Sequence, residues 1–291
     1  MIRRVRALIL FLLAVSVAGP SCRETKPDLH PREYPLAGEV LSINPARTEI
    51  TVKHGDVKGF MPAMTMPFAV KEPRQVEGLT VGDLVTATLV VNDEESYLKG
   101  IEKTGSLPPE QRTHPQPAAV EGLAPGALIP DVALTDEAGH PLTLAAYRGR
   151  FVLFTFIYTR CPLPDYCPRM NRFFADIQKA MAAKPALKDA LRLLSISFDP
   201  DRDTPSVLRS HAKQMGADPA VWHFATAPGR KVDAFGASLG LSVTREGQAD
   251  GTISHNLRTA LMDRNGVLVK IYTGNDWSPD AVVRDVEALI K

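Results

Sequence analysis

The chain has 291 residues, 44% hydrophobic and 23% charged, an ordinary globular composition that excludes a disordered tail or a polytopic membrane protein, and the length suits two domains of roughly 150 residues. Lys and Arg total 34 against 33 Asp and Glu, a net charge of +1, so there is no basic excess to neutralise phosphates and nucleic acid is excluded as a partner. Proline is abundant at 24 residues, which signals rigid turns or a linker, while the three cysteines, Cys22, Cys161 and Cys167, are too few for a disulfide-built scaffold and enough for one site.

The chain opens with Arg3, Arg4 and Arg6 followed by an apolar run over residues 7–18, too short to span a bilayer comfortably. This is the layout of an export signal. Ser16 and Ala18 meet the small-residue requirement for cleavage, and Cys22 stands where a bacterial lipoprotein is lipidated, although Gly19 and Pro20 are unusual before such a cysteine. Residues 1–22 therefore read as a signal peptide or lipoprotein signal, with a lipid anchor at Cys22 favoured over plain secretion and an uncleaved N-terminal anchor as the third option. Each option places the domains in an oxidising, periplasmic setting where Cys161 and Cys167 can form a disulfide.

From residue 35 to 104 apolar and polar residues alternate, as at Ile50 and Val52 and again at Val85, Ala87, Leu89 and Val91. Alternation predicts half-buried strands. With turns at Asn44-Pro45, His54-Gly55-Asp56 and Gly82-Asp83, about five strands fit, and a small antiparallel β-barrel of the oligonucleotide/oligosaccharide-binding kind is the economical fold. Residues 105–126 hold five prolines and no hydrophobic period, which predicts an extended linker.

Residues 127–291 change period. FVLFTFI at 151–157 and LRLLSISF at 191–198 are continuous apolar runs, expected of strands buried on both faces. Between them Met170, Phe173, Phe174, Ile177 and Met181 recur at helical spacing after Pro168, so strand, cysteine-bearing loop, helix and strand form a βαβ unit. A helix after Thr204-Pro205, strands near 258–262 and 267–272, and a final amphipathic helix at 278–290 complete an α/β unit. Asp199, Asp201 and Asp203 read as a turn in which Asp203 and Thr204 cap the following helix. His211 and His223 read as structural.

Cys161 and Cys167 lie between the end of a buried strand and the start of a helix. The helix dipole there favours thiolate at both sulfurs. Thiolate attacks disulfides and also ligates soft metals, and position alone leaves both roles open. A purely stabilising disulfide is the weaker reading, because a bridge closing so short a loop constrains the unfolded chain little.

Three stretches carry a resemblance: FVLFTFIYTRCP, SISFDPDRDTPSVLRSHAKQMGA at 195–217, and SHNLRTALMDRNG at 254–266. Over residues 130–290 the chain resembles the SCO/SenC family, thioredoxin-fold copper proteins that help assemble the binuclear copper centre of cytochrome c oxidase. The resemblance implies a copper site at Cys161, Cys167 and His255. The spacing differs: the family pattern is CxxxC, whereas here it is CxxxxxC, two residues longer.

In the first unit, HGDVKGFMPAMTMPF at 54–68 concentrates three of the eight methionines within six residues. Met64 and Met66 fall on one face of an extended chain, with Met61 close by in a proline-flanked turn. Thioethers with an imidazole favour Cu(I) or Ag(I) over zinc, against the alternative that these methionines only fill the core. The segment resembles the periplasmic copper-binding CusF family, small five-stranded barrels, which implies ligation by His54, Met64 and Met66. Met61 stands where that family has a tryptophan and can supply a third sulfur, and Phe60 is placed to serve as an aromatic lid.

Taken together, these features predict an exported metallochaperone that passes copper to the apo-copper subunit of cytochrome c oxidase or to another copper protein. Two alternatives remain: a partner-specific thiol-disulfide oxidoreductase using Cys161 and Cys167, and a periplasmic copper buffer.

Overall fold

The computed structural model describes residues 31–113, 122–246 and 252–290. Residues 1–22, expected to be an export signal and including Cys22, and the centre of the proline-rich stretch lie outside the described residues.

Five strands come first: β1 (Arg32–Ile43), β2 (Glu49–His54), β3 (Met64–Val70), β4 (Asp83–Val91) and β5 (Ser96–Ser106). They close into a ring in the order β1-β2-β3-β5-β4. Alternation behaves as read: Val85, Ala87 and Leu89 of β4 point inward while Thr86 is exposed. One feature departs from an all-antiparallel expectation. The β3–β5 pair is parallel, Ala69 opposite Tyr97 and Val70 opposite Leu98, because β5 returns across the ring from β4 and meets β3 running the same way. The ring is tight at Gly38, where a Cβ would lie 2.4 Å from the carbonyl oxygen of Lys53. Only glycine lets β1 approach β2 there.

The described ends of the proline-rich stretch are held in place. Strand β5 runs two residues beyond the predicted boundary, and Thr113 donates to Glu39 through both its N–H (2.8 Å) and its hydroxyl (2.6 Å). On the far side Leu123 N–H donates to Ser238 O at 2.7 Å.

The second unit contains β6 (Leu134–Asp136), β7 (Pro141–Leu142), β8 (Phe151–Ile157), α1 (Cys167–Ala183), α2 (Pro185–Ala190), β9 (Leu191–Ser197), α3 (Pro205–Gln214) and β10 (Trp222–Thr226). It continues with α4 (Lys231–Ala237), β11 (Val243–Glu246), β12 (Thr252–His255), β13 (Arg258–Met262), β14 (Leu268–Thr273) and α5 (Pro279–Ile290). Seven strands form one sheet, β14-β13-β8-β9-β10-β6-β7, with β8, β9 and β10 parallel in the middle. All seven residues of β8 are buried, as a strand between β13 and β9 with helices over it must be. Met170, Phe174, Ile177 and Met181 are the buried stripe of α1. Strands β11 and β12 pair with each other outside this sheet, and His255 ends β12.

The Asp199–Asp203 turn forms, with Asp203 N–H donating to Asp199 O at 2.8 Å, but neither the Asp203 nor the Thr204 side chain caps α3, although Thr204 holds the N-cap position. Asp203 is fully buried and accepts from Thr159 N–H (3.0 Å), Thr159 Oγ1 (2.5 Å) and Ser197 Oγ (2.6 Å). The carboxylate turns inward because the ends of β8 and β9 present three unsatisfied donors there. His223 and His211 are held by Glu137 and Asn171, at 3.1 and 2.9 Å.

Candidate metal centre

Strand β8 ends at Ile157, and the chain turns over Tyr158–Cys161, with Cys161 N–H donating to Tyr158 O. Cys161 is half-buried in this turn, and Cys167 is buried as the first residue of α1. His255 reaches the same point from β12. The Sγ atoms of Cys161 and Cys167 and a ring nitrogen of His255 lie within 4.8 Å of one another. Both thiols are free.

His255 is oriented by its surroundings. Its Nδ1 lies 2.9 Å from Asn256 O, and a carbonyl can only accept, so Nδ1 carries the proton and Nε2 presents its lone pair toward Cys167 Sγ at 3.6 Å. This is the tautomer that an Nε2 metal ligand requires. Phe198 (4.7 Å), Tyr158 (5.7 Å) and Tyr166 (6.3 Å) surround the imidazole.

The two sulfurs differ, contrary to the equal activation expected from the helix dipole. Burial raises the Cys161 thiol, but the hydrogen bond donated by the Cys167 S–H and the neighbouring His255 ring outweigh it and hold it well below the ordinary range. Burial pushes Cys167 well above that range, and its proton is retained by donation to Cys161. Burial likewise raises the Tyr158 phenol, with the two sulfurs beside it adding to the shift. One thiolate shared between two sulfurs and facing an imidazole is a soft, concentrated ligand set suited to Cu(I).

His54 ends β2 directly opposite Met64 on β3, and Val52 lies opposite Met66. His54, Met61, Met64 and Met66 are all buried. The His54 Nδ1 lies 2.7 Å from Gly55 O, which places its proton there as in His255. Met61 is packed in the core of the ring, where its backbone bridges to Val57. Phe60 stacks on Tyr34, centroids 4.7 Å apart.

Two members of each group meet. Met64 and Met66 from the ring and Cys161 and His255 from the second unit line one cavity of about 20 Å³. The loop between the cysteines borders it. Leu163 is buried in the core of the ring, and Tyr166 packs against the cores of both units. Leu163, Asp165 and Tyr166 were not singled out from sequence. The signal that could have marked them was an apolar and an aromatic residue inside a cysteine loop two residues longer than the family pattern.

A family model described as SCO1/SenC matches residues 122–291, and one described as copper binding periplasmic protein CusF matches residues 33–103. The SCO1 protein homolog of Bacillus subtilis (strain 168) is 24% identical over 155 residues, 53% of this chain and 78% of that protein. A putative copper-binding protein of Stutzerimonas stutzeri is 27% identical over 143 residues, 48% of this chain and 66% of that protein. Among solved structures, a SCO1/SenC family lipoprotein from Bacillus anthracis str. Ames superposes over 57% of this chain and 96% of that one, with a TM-score of 0.50 and 23% identity, which shows a shared fold.

Proposed function

Given that the chain belongs to the SCO1/SenC family, we propose that it is an exported copper metallochaperone in which an OB-like ring, residues 35–104, is joined through 105–126 to a thioredoxin-like domain, residues 127–291. Copper is its cargo, bound by Cys161, Cys167 and His255 in the second domain and by His54, Met64 and Met66, with Met61 as a third sulfur, in the first. The recipient is the apo-copper subunit of cytochrome c oxidase or another copper protein. A lipid on Cys22 or an N-terminal segment holds the chain to the membrane; among the described residues no helix is long and apolar enough to cross one.

The observation that carries this reading is the meeting of two sulfurs and an imidazole oriented for Nε2 ligation within 4.8 Å beyond the end of β8. Two soft-ligand sets in one chain favour transfer between them, since a short tether gives effective concentrations on the order of mM. The test is Cu(I) titration of the reduced protein to saturation. Two equivalents are expected, with Met64→Ala plus Met66→Ala removing one at saturation and Cys161→Ser the other; a saturation stoichiometry unchanged by both variants refutes the reading. Deletion separates delivery from buffering: loss of oxidase activity marks a chaperone, and copper sensitivity with normal oxidase marks a buffer.

The unequal acidity of the two thiols favours a second reading, a partner-specific thiol-disulfide oxidoreductase with Cys161 as the attacking thiolate. It needs no imidazole ligand, so full reductase activity and full biological function in His255→Ala would support it over copper delivery.

A further inference from the structure

Residues of the loop between Cys161 and Cys167 leave their own domain and close onto the ring. Leu163, 2% exposed, is buried with Met64, Met66 and Phe68. Ser96 Oγ of β5 donates to Asp165 Oδ1 at 2.8 Å, and Tyr166 Oη donates to Pro67 O of β3 at 2.9 Å. Asn275 Nδ2 braces the loop from behind, donating to Asp165 O at 2.8 Å. Pro162, Leu163 and Tyr166 of this loop line the cavity of about 20 Å³, together with Met64 and Met66 of the ring and Cys161 and His255 of the second unit. A space of that size holds one water-sized body. The soft groups able to ligate an ion there are two thioethers, a cysteine sulfur and an imidazole, which together select Cu(I).

We propose that this interdomain cavity is itself a Cu(I) site, in which one ion is held jointly by Met64 and Met66 from the ring and Cys161 and His255 from the second domain, and that the 162–166 loop is the plug that builds it. The inference rests on the copper reading above and adds the closed state through which the ion passes between the two sets. The exchange is redox-neutral. The Cu–His54 and Cu–thioether bonds break as bonds to His255, to Cys161 and then to Cys167 form, the sulfur still carrying a proton gives it to solvent as it binds, and the metal stays Cu(I). While the plug is seated, the ion changes ligands without release to water.

The test uses the full-length reduced protein with one equivalent of Cu(I), followed by X-ray absorption and by the rate at which the Cu(I) chelator bathocuproine disulfonate removes the metal. The expected spectrum contains nitrogen and sulfur, and it changes both in Met64→Ala plus Met66→Ala and in Cys161→Ser, because both perturb the same ion. Removal is expected to be about tenfold faster in Leu163→Asp, equivalent to about 1.4 kcal/mol. Tyr166→Phe, which deletes one hydroxyl and keeps the ring, gives the same direction at about threefold, in the range of one hydrogen bond. A first equivalent whose spectrum ignores either set of variants, or removal at the wild-type rate in both plug variants, overturns the shared site. Failure to bind any Cu(I) overturns the copper reading as well, whereas two independent sites that bind normally overturn only this inference.

Discussion

Asp203 is the buried group on which the geometry of the cysteine turn depends. Its carboxylate, fully buried, accepts three hydrogen bonds from the ends of β8 and β9, two of them from Thr159, which lies two residues before Cys161. In Asp203→Ala all three are lost. Each bond to a charged acceptor contributes about 1.5–3 kcal/mol, but they share one geometry and do not add fully. The two hydroxyls can turn to other acceptors while the Thr159 N–H cannot, so the expected loss is about 3–5 kcal/mol. For a unit of this size, about 2–4 °C per kcal/mol converts that to a fall in Tm of roughly 10 °C. Asp203→Asn keeps one acceptor oxygen and is expected to lose roughly a third as much. Asp201, exposed in the same turn, is the control, and its replacement by Ala should stay within about 0.5 kcal/mol. Thermal unfolding followed by circular dichroism reads these values. An Asp203→Ala protein melting within about 2 °C of the parent would refute the reasoning.

Brief alkylation of the reduced protein, mapped by mass spectrometry, should label Cys161 ahead of Cys167, because Cys161 is half-buried and biased to thiolate while Cys167 is buried and holds its proton; equal labelling would contradict the asymmetry. The Glu137–His223 pair should give stability a maximum in weakly acidic solution. Its hydrogen bond to Glu137 raises His223, so that contribution is complete below the ordinary value of 6.5 and is lost as pH rises through the raised value. Burial opposes ionisation of Glu137, but hydrogen bonds from His223 and Phe224 N–H outweigh it and lower its pKa, so its contribution is present above 4.5 and lost as pH falls through the depressed value. Urea unfolding of the parent and Glu137→Gln should therefore differ most between pH 4.5 and 6.5, and a difference independent of pH would refute the assignment.

Much of the architecture was legible because it is written in local periods. The apolar run of β8, the alternation in β4 and the 3.6-residue stripe of α1 each record which faces of an element are buried, and the fold carries all three. The soft ligands were legible for a related reason: sulfur and imidazole grouped at a strand end or on one face of a strand have few structural uses in common. Pairings between distant segments leave no such record. The parallel β3–β5 contact depends on how the chain returns across the ring, and the inward turn of Asp203 depends on donors presented 6 and 44 residues away.

From the sequence by itself came two folded units and the identity of every candidate ligand from His54 to His255, because composition, period and residue chemistry are local properties. Only the tertiary structure decided that Met64 and Met66 share a cavity with Cys161 and His255, and that the loop of the cysteine pair is buried against the ring. Burial, hydrogen-bond direction and proximity across an interface are set by packing, and packing joins residues that lie about a hundred positions apart in the chain, as Tyr166 and Pro67 do.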